Sequence, residues 1–142
     1  MSFAFIKRLL RKLRWRAAPP DARLALGRRG EREAARFLRS RGHRIIARNH
    51  RCPAGELDLV SVDNGCTVFV EVKSRTRDDR QDLVEAVRSA QWRSIERAAR
   101  HFLLQTGRSM ENVRFDLVTI LWPKHGAPII EHFDDAHVPE RW

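Results

Sequence analysis

Four charged side chains in two short stretches offer the most chemistry in this sequence. Gly55–Val60 reads GELDLV and holds Glu56 and Asp58; Phe69–Arg75 reads FVEVKSR and holds Glu71 and Lys73. Between them stands Asn64-Gly65, a favoured two-residue hairpin turn, because both residue types tolerate positive φ. A hairpin closed there sets Asp58 opposite Glu71, Glu56 opposite Lys73, Leu57 opposite Val72 and Leu59 opposite Val70. Opposed residues bring their Cβ atoms to roughly 4.5–5.5 Å. Two carboxylates at that spacing repel each other unless a proton or a cation lies between them. Hard oxygen donors suit Mg2+ or Mn2+. Lys73, next but one to Glu71, leans over the same spot. A divalent cation, a water and a lysine are the parts that phosphodiester hydrolysis needs, the cation to polarise the phosphoryl group and the lysine to orient the water and offset developing charge.

The same face carries Val60 opposite Phe69, so the charges crowd one end of a surface that is otherwise apolar. Two plainer readings stand beside the metal site. Glu56 and Lys73 could form a surface ion pair, worth well under ~1 kcal/mol. A longer turn at Asp63–Cys66 would shift the register by one residue and put Asp58 and Glu71 on opposite faces.

The elements that must hold this hairpin follow from periodicity. Gly27–Gly42 predicts a helix whose inward stripe is Ala34, Ala35 and Leu38, with Gly42 as its stop. Glu31 lies at the N-terminal end of that stripe and could hold a water at the centre. His43–Asn49 reads as a strand and CPAG as a break. Glu56–Val62 and Thr67–Lys73 follow as strands. Arg75–Asp82 reads as a polar, mobile loop. The stretch from Leu83 predicts a helix ending at Gly107, broken near Ser89, with Ile95, Ala98, Ala99 and Phe102 facing inward. Gln91, one turn before Ile95, points the same way. Val113–Trp122 is an almost continuous apolar run, as in a buried strand, and PIIEHF adds an edge strand. The expected order is αβββαβ with one further strand, a mixed sheet flanked by helices.

Composition sets the class of partner. The chain has 142 residues, 42% apolar and 32% charged, with a net charge of +10. That suits one globular domain able to bury a core without disulfides. Six of the bases fall within Met1–Arg16, which contains no acid. This segment could form an amphipathic basic helix, gripping nucleic acid, contacting a membrane surface or only adding solubility. Ala17–Asp21, with tandem prolines, reads as a linker. We therefore expect a basic arm and linker over 1–23, the domain proper over 24–134 and a tail over 135–142. A basic excess points to phosphate-bearing partners. Arg75, Arg77 and Arg80 follow the third strand and could clamp a nucleic-acid backbone. Trp92 and Trp122 sit in apolar patterns and read as core.

Cys52 and Cys66 form no CxxC pair. Zinc would have to recruit His43 or His50 at a spacing that gives little support, so both cysteines read as reduced thiols of a cytoplasmic protein. His101 and His125 read as bystanders. No apolar run reaches the ~18 residues of a membrane span, and no signal-peptide core follows the basic start.

Three blocks in this order, GEREAARFL at Gly30–Leu38, GELDLV and FVEVKSR, resemble the bacterial YraN family. Its members are similar to archaeal Holliday junction resolvases and belong to the PD-(D/E)XK nuclease superfamily. The resemblance covers about Leu24 to Phe133. It implies a restriction-endonuclease-like fold, with Asp58 and Glu71 as metal carboxylates, the Val72 carbonyl as a further ligand and Lys73 as the lysine of the pattern. Glu31 matches the family's first-helix glutamate and Glu56 its GE-x-D glutamate. Members commonly carry Lys-Gln where this chain has Ala90-Gln91, so Gln91 is kept and Arg88 or Arg93 would have to stand in for the lysine. The implied activity is Mg2+-dependent (or Mn2+-dependent) cleavage of DNA, including branched or damaged structures, with a homodimer expected for junction cleavage. The alternative is a nucleic-acid-binding or partner-binding module that keeps the fold without turnover.

Overall fold

A computed structural model describes residues 20–76 and 89–141. The basic arm, Arg77, Arg80 and Arg88, which carried expectations above, lie outside the described residues. Helix α1 (Pro20–Ser40) is followed by strands β1 (Arg44–Cys52), β2 (Gly55–Asp63) and β3 (Cys66–Thr76), helix α2 (Ser89–Thr106), and strands β4 (Val113–Trp122) and β5 (Ile129–His137). The strands form one mixed sheet in sequential order β1-β2-β3-β4-β5. Only β3 and β4 run parallel, and the other three pairings are antiparallel. A parallel pair needs a long crossover, and the segment containing α2 supplies it.

Helix α1 starts at Pro20, inside the expected linker and ahead of the expected boundary at Leu24. The reason is positional: proline costs a helix nothing at its first residue, where the missing N–H would have had no partner, and Asp21 in the first turn complements the helix dipole. The helix stops as expected. Gly42 adopts φ 92°, and the amides of Gly42 and His43 turn back to the carbonyls of Arg39 and Leu38. Gly42 is followed within two residues by β1, which runs on through His50 and Cys52, past the expected end at Asn49.

The two faces of the sheet carry separate cores. Ala34, Ala35 and Leu38 of α1 pack on Leu59, Val68, Val70, Val118, Ile120 and Trp122. Trp92, Ile95, Ala98, Ala99 and Phe102 of α2 pack on Leu57, Val60, Phe69 and Phe115. Both expected inward stripes and both expected core tryptophans are buried. Each fully buried large apolar side chain contributes about 1.5–3 kcal/mol. Helix α1 sits close because residue 30 is glycine: a Cβ there would lie 2.7 Å from Ser74 Cβ. Ser74 in turn accepts a hydrogen bond from Trp122 Nε1 at 2.6 Å.

Candidate active site

The β2–β3 hairpin forms with the register that its turn dictates. Asn64 and Gly65 adopt φ 49° and 79°, and the paired residues run from Asp63–Cys66 to Leu59–Val70. Beyond Leu59 the expected pairing stops. Strict alternation would put Leu57 and Leu59 on one face, yet Leu57 packs against α2 and Leu59 against α1. The alternation breaks at Asp58, while β2 stays paired with β1 as far as Gly55. Where the β2–β3 ladder ends, the Asp58 carboxylate takes the place of a backbone acceptor: the Val72 amide donates to Asp58 Oδ2 at 2.9 Å.

This break lets side chains from both faces of the sheet converge. Glu71 is buried at 7% exposure. Its Oε1 accepts a hydrogen bond from Gln91 Nε2 of α2 at 2.6 Å and lies 3.1 Å from Lys73 Nζ. The expected Glu56–Lys73 pair does not form. Glu56 is exposed and reaches Arg51 across β1 instead, at 3.6 Å. From the other side α1 brings Glu31, whose Oε2 is buried without a hydrogen-bond partner.

The electrostatics are those of crowded acid. Burial, and then the negative charge of Asp58, push the Glu71 carboxyl up to about 8. Burial also raises Asp58, against the opposing pull of the Val72 amide, the hydrogen bond with Glu71 and the charge of Lys73. Glu31 is raised by burial first and by Asp58 second, with the Asn49 side chain opposing that rise. The Glu71 carboxyl therefore holds a proton near neutrality that an isolated carboxyl would have lost. Asn49, at φ 47°, was not singled out in the sequence. Its place beside Glu31 depends on how β1 crosses the first helix, which no local pattern announces.

The arginines expected to meet nucleic acid divide. Arg75 lies in β3, not in a loop, and its Nη1 donates to the Ser74 carbonyl at 2.9 Å. Arg93 is exposed on α2, as are Arg97 and Arg100 at helical spacing from it. Ala90 is exposed and has no charge to contribute.

A five-stranded mixed sheet flanked by two helices, with acids gathered where β2 parts from β3, defines a restriction-endonuclease-like α/β domain. The chain belongs to the family described as Uncharacterised protein family UPF0102, whose model matches residues 30–120. Among its curated relatives, a UPF0102 protein of Pelotomaculum thermopropionicum is 39% identical over 117 residues, covering 82% of this chain and 98% of the relative. One of Anaeromyxobacter dehalogenans is 43% identical over 116 residues, covering 82% and 86%. One of Nocardia farcinica is 43% identical over 108 residues, covering 76% and 85%. No helix among the described residues is long and apolar enough to cross a membrane.

Proposed function

We propose that this chain is a divalent-metal-dependent endonuclease that cleaves DNA, branched or damaged structures included, in the bacterial cytoplasm. The observation that carries this reading is the convergence of buried Glu71, with Lys73 Nζ 3.1 Å away, and Asp58, held by the Val72 amide at 2.9 Å, beside a Glu31 oxygen that has no hydrogen-bond partner. Two buried carboxylates with no cation between them cost folding energy, and a site that needs a cation for its chemistry accepts that cost.

The donor set fits Mg2+ or Mn2+. It is all oxygen and rich in carboxylate, and Glu31 Oε2 remains a buried acceptor with nothing to accept from. Asp58, Glu71 and the Val72 carbonyl, which a strand residue presents on the same side as its amide, would hold the ion. When bound, the ion supplies Lewis-acid polarisation of the phosphoryl oxygen and makes a nucleophile of water at neutral pH. Gln91 holds Glu71 in place from α2. Lys73 orients the attacking water and stabilises charge that builds on the phosphate. Glu31 accepts a hydrogen bond from a water at the centre. Direct attack by water needs no covalent enzyme intermediate.

The net charge of +10 and the exposed Arg93, Arg97 and Arg100 on α2 favour a polyanionic substrate. The exposed Ala90, where family members commonly carry a lysine beside the glutamine, favours a second reading: a nucleic-acid-binding module of the same fold without turnover. Incubating the protein with linear, flap and four-way-junction DNA in Mn2+ separates the two. Asp58→Ala and Lys73→Ala should each slow cleavage by at least ~100-fold while leaving the circular dichroism spectrum intact. Cleavage unchanged in both variants would refute the nuclease reading. A gel shift of the same size in EDTA, with no cleavage of any substrate, would establish the module.

A further inference from the structure

We propose that His50, Cys52 and His101 form a second metal site, one for a thiophilic divalent cation such as Zn2+. It is chemically distinct from the oxygen-lined centre at Asp58 and Glu71. One donor atom from each of the three residues lies within 4.8 Å of the other two. His50 and Cys52 are next-but-one neighbours on β1, so the strand's alternation puts both on the side of the sheet that faces α2. His101 comes from α2, in the stretch between the inward Ala98 and Phe102. A tetrahedral zinc ion, with Zn–N about 2.0–2.1 Å and Zn–S about 2.3 Å, needs its donors roughly 3.3–3.7 Å apart. Donors that already lie within 4.8 Å of one another need only a short approach to reach that spacing.

A second observation points the same way. His50 Nε2 and His101 Nδ1 are both buried with no hydrogen-bond partner. An orphaned buried nitrogen costs about 1–3 kcal/mol, and two in one cluster call for a shared partner. Their neighbours supply none: the His50 ring meets Phe102 edge-on at 5.1 Å, and Cys52 packs against the apolar core as a free thiol. Two imidazoles and a thiol make a soft, nitrogen–sulfur set, which suits zinc and not magnesium. The fourth position is left to water or an incoming ligand.

The other gathering of ligand types, Asp116, His132 and Asp134, lacks this character. Arg114 already holds Asp116 through two bonds of 2.8 and 2.9 Å, so a cation there would have to displace a guanidinium.

The site also has a mechanical consequence. Gly55, which opens β2 just after the β1–β2 turn, sits so close to α2 that a Cβ on it would lie 3.1 Å from Ser94 Oγ. A metal bridging Cys52 and His101 would clip this turn to the helix that carries Gln91.

The test uses the full chain and the metals alone. Titration with Co2+ as a zinc surrogate should produce a thiolate-to-cobalt charge-transfer band that added Zn2+ abolishes. Cys52→Ser should remove the band, and His101→Asn should weaken binding by more than the ~10–100-fold that outer partners of a metal typically command. Asp58→Asn and Cys66→Ser should leave the band unchanged, which separates this site from the oxygen-lined one. Zn2+ at about 100-fold over its dissociation constant should raise Tm by roughly 5–10 °C. Should the variants misfold, the wild type still decides the matter: Zn2+ should shield Cys52, and not Cys66, from alkylation. No charge-transfer band, a band that survives Cys52→Ser, or equal alkylation of Cys52 with and without Zn2+ would overturn the proposal.

Discussion

Two buried clusters of charge share one sheet, and they are built on opposite plans. Around Asp116, which is fully buried, the positive charge of Arg114 is bound at 2.8 Å, His132 lies at 2.7 Å and the Asp135 amide donates at 3.2 Å. Burial alone would raise the Asp116 carboxyl, but the hydrogen bonds from His132 and Arg114 outweigh it and hold the pKa below its usual value. Arg114 is correspondingly raised, chiefly by its bond to Asp116, and it also reaches Asp63 at 3.3 Å. Around Asp58 and Glu71 three acids meet one lysine, and the acids are pushed up. The first cluster has its counter-charge built in and serves the fold. The second has only Lys73, 3.1 Å from Glu71, to set against three acids. The direction of an acid's shift thus separates a cluster whose counter-charges are complete from one in which acids outnumber bases, where burial alone does not.

The contrast can be broken from its structural side first. Asp116→Ala leaves Arg114 and His132 without their buried partner and should destabilise the fold by about 3–5 kcal/mol in urea unfolding. A lowered carboxyl contributes stability that is present above the unfolded pKa and lost as pH falls through the folded one. The deficit of Asp116→Ala should therefore shrink below about pH 4. A loss under ~1 kcal/mol at pH 7 would mean that the network is decoration.

A smaller effect tests how α1 is seated. Gly30→Ala places a Cβ 2.7 Å from Ser74 Cβ, so α1 must lift and carry Glu31 away from Asp58. The expected cost is about 1–3 kcal/mol in urea unfolding, with a smaller stabilisation by added Mn2+ than the wild type shows. Unchanged stability would show that Ser74 can turn aside despite its bond to Trp122.

The smallest expected change has the opposite sign. Burial, and then the charge of Asp58, raise the Glu71 carboxyl from the usual carboxylate range to about 8. Across that window the folded chain keeps a proton that the unfolded chain has released. The contribution of Glu71 to stability is therefore greatest below about pH 4.5 and falls as pH rises to 8. In EDTA, Asp58→Asn removes the negative neighbour and keeps an acceptor for the Val72 amide. It should gain about 1 kcal/mol over wild type at pH 8 and almost nothing at pH 5. A wild-type slope retained in the variant would mean that the two acids do not sense each other.

Local sequence determined much of this protein. The Asn64-Gly65 turn set the register of the β2–β3 hairpin, helical periodicity marked the buried faces of both helices, and the spacing of Asp58, Glu71 and Lys73 announced the acidic centre. Turn chemistry and periodicity are short-range, so they are legible from neighbouring residues alone. Tertiary structure decided the rest. Pairing with β1 and packing on two helices break the alternation at Asp58, so that Glu31 and Gln91 reach one centre from opposite faces. The same packing brings His50 and Cys52 to His101, residues that sequence spacing keeps apart, and it seats Arg114 on Asp116. Each of these depends on which strand and helix meet across the sheet, and burial against a distant partner leaves no trace in the spacing of nearby residues.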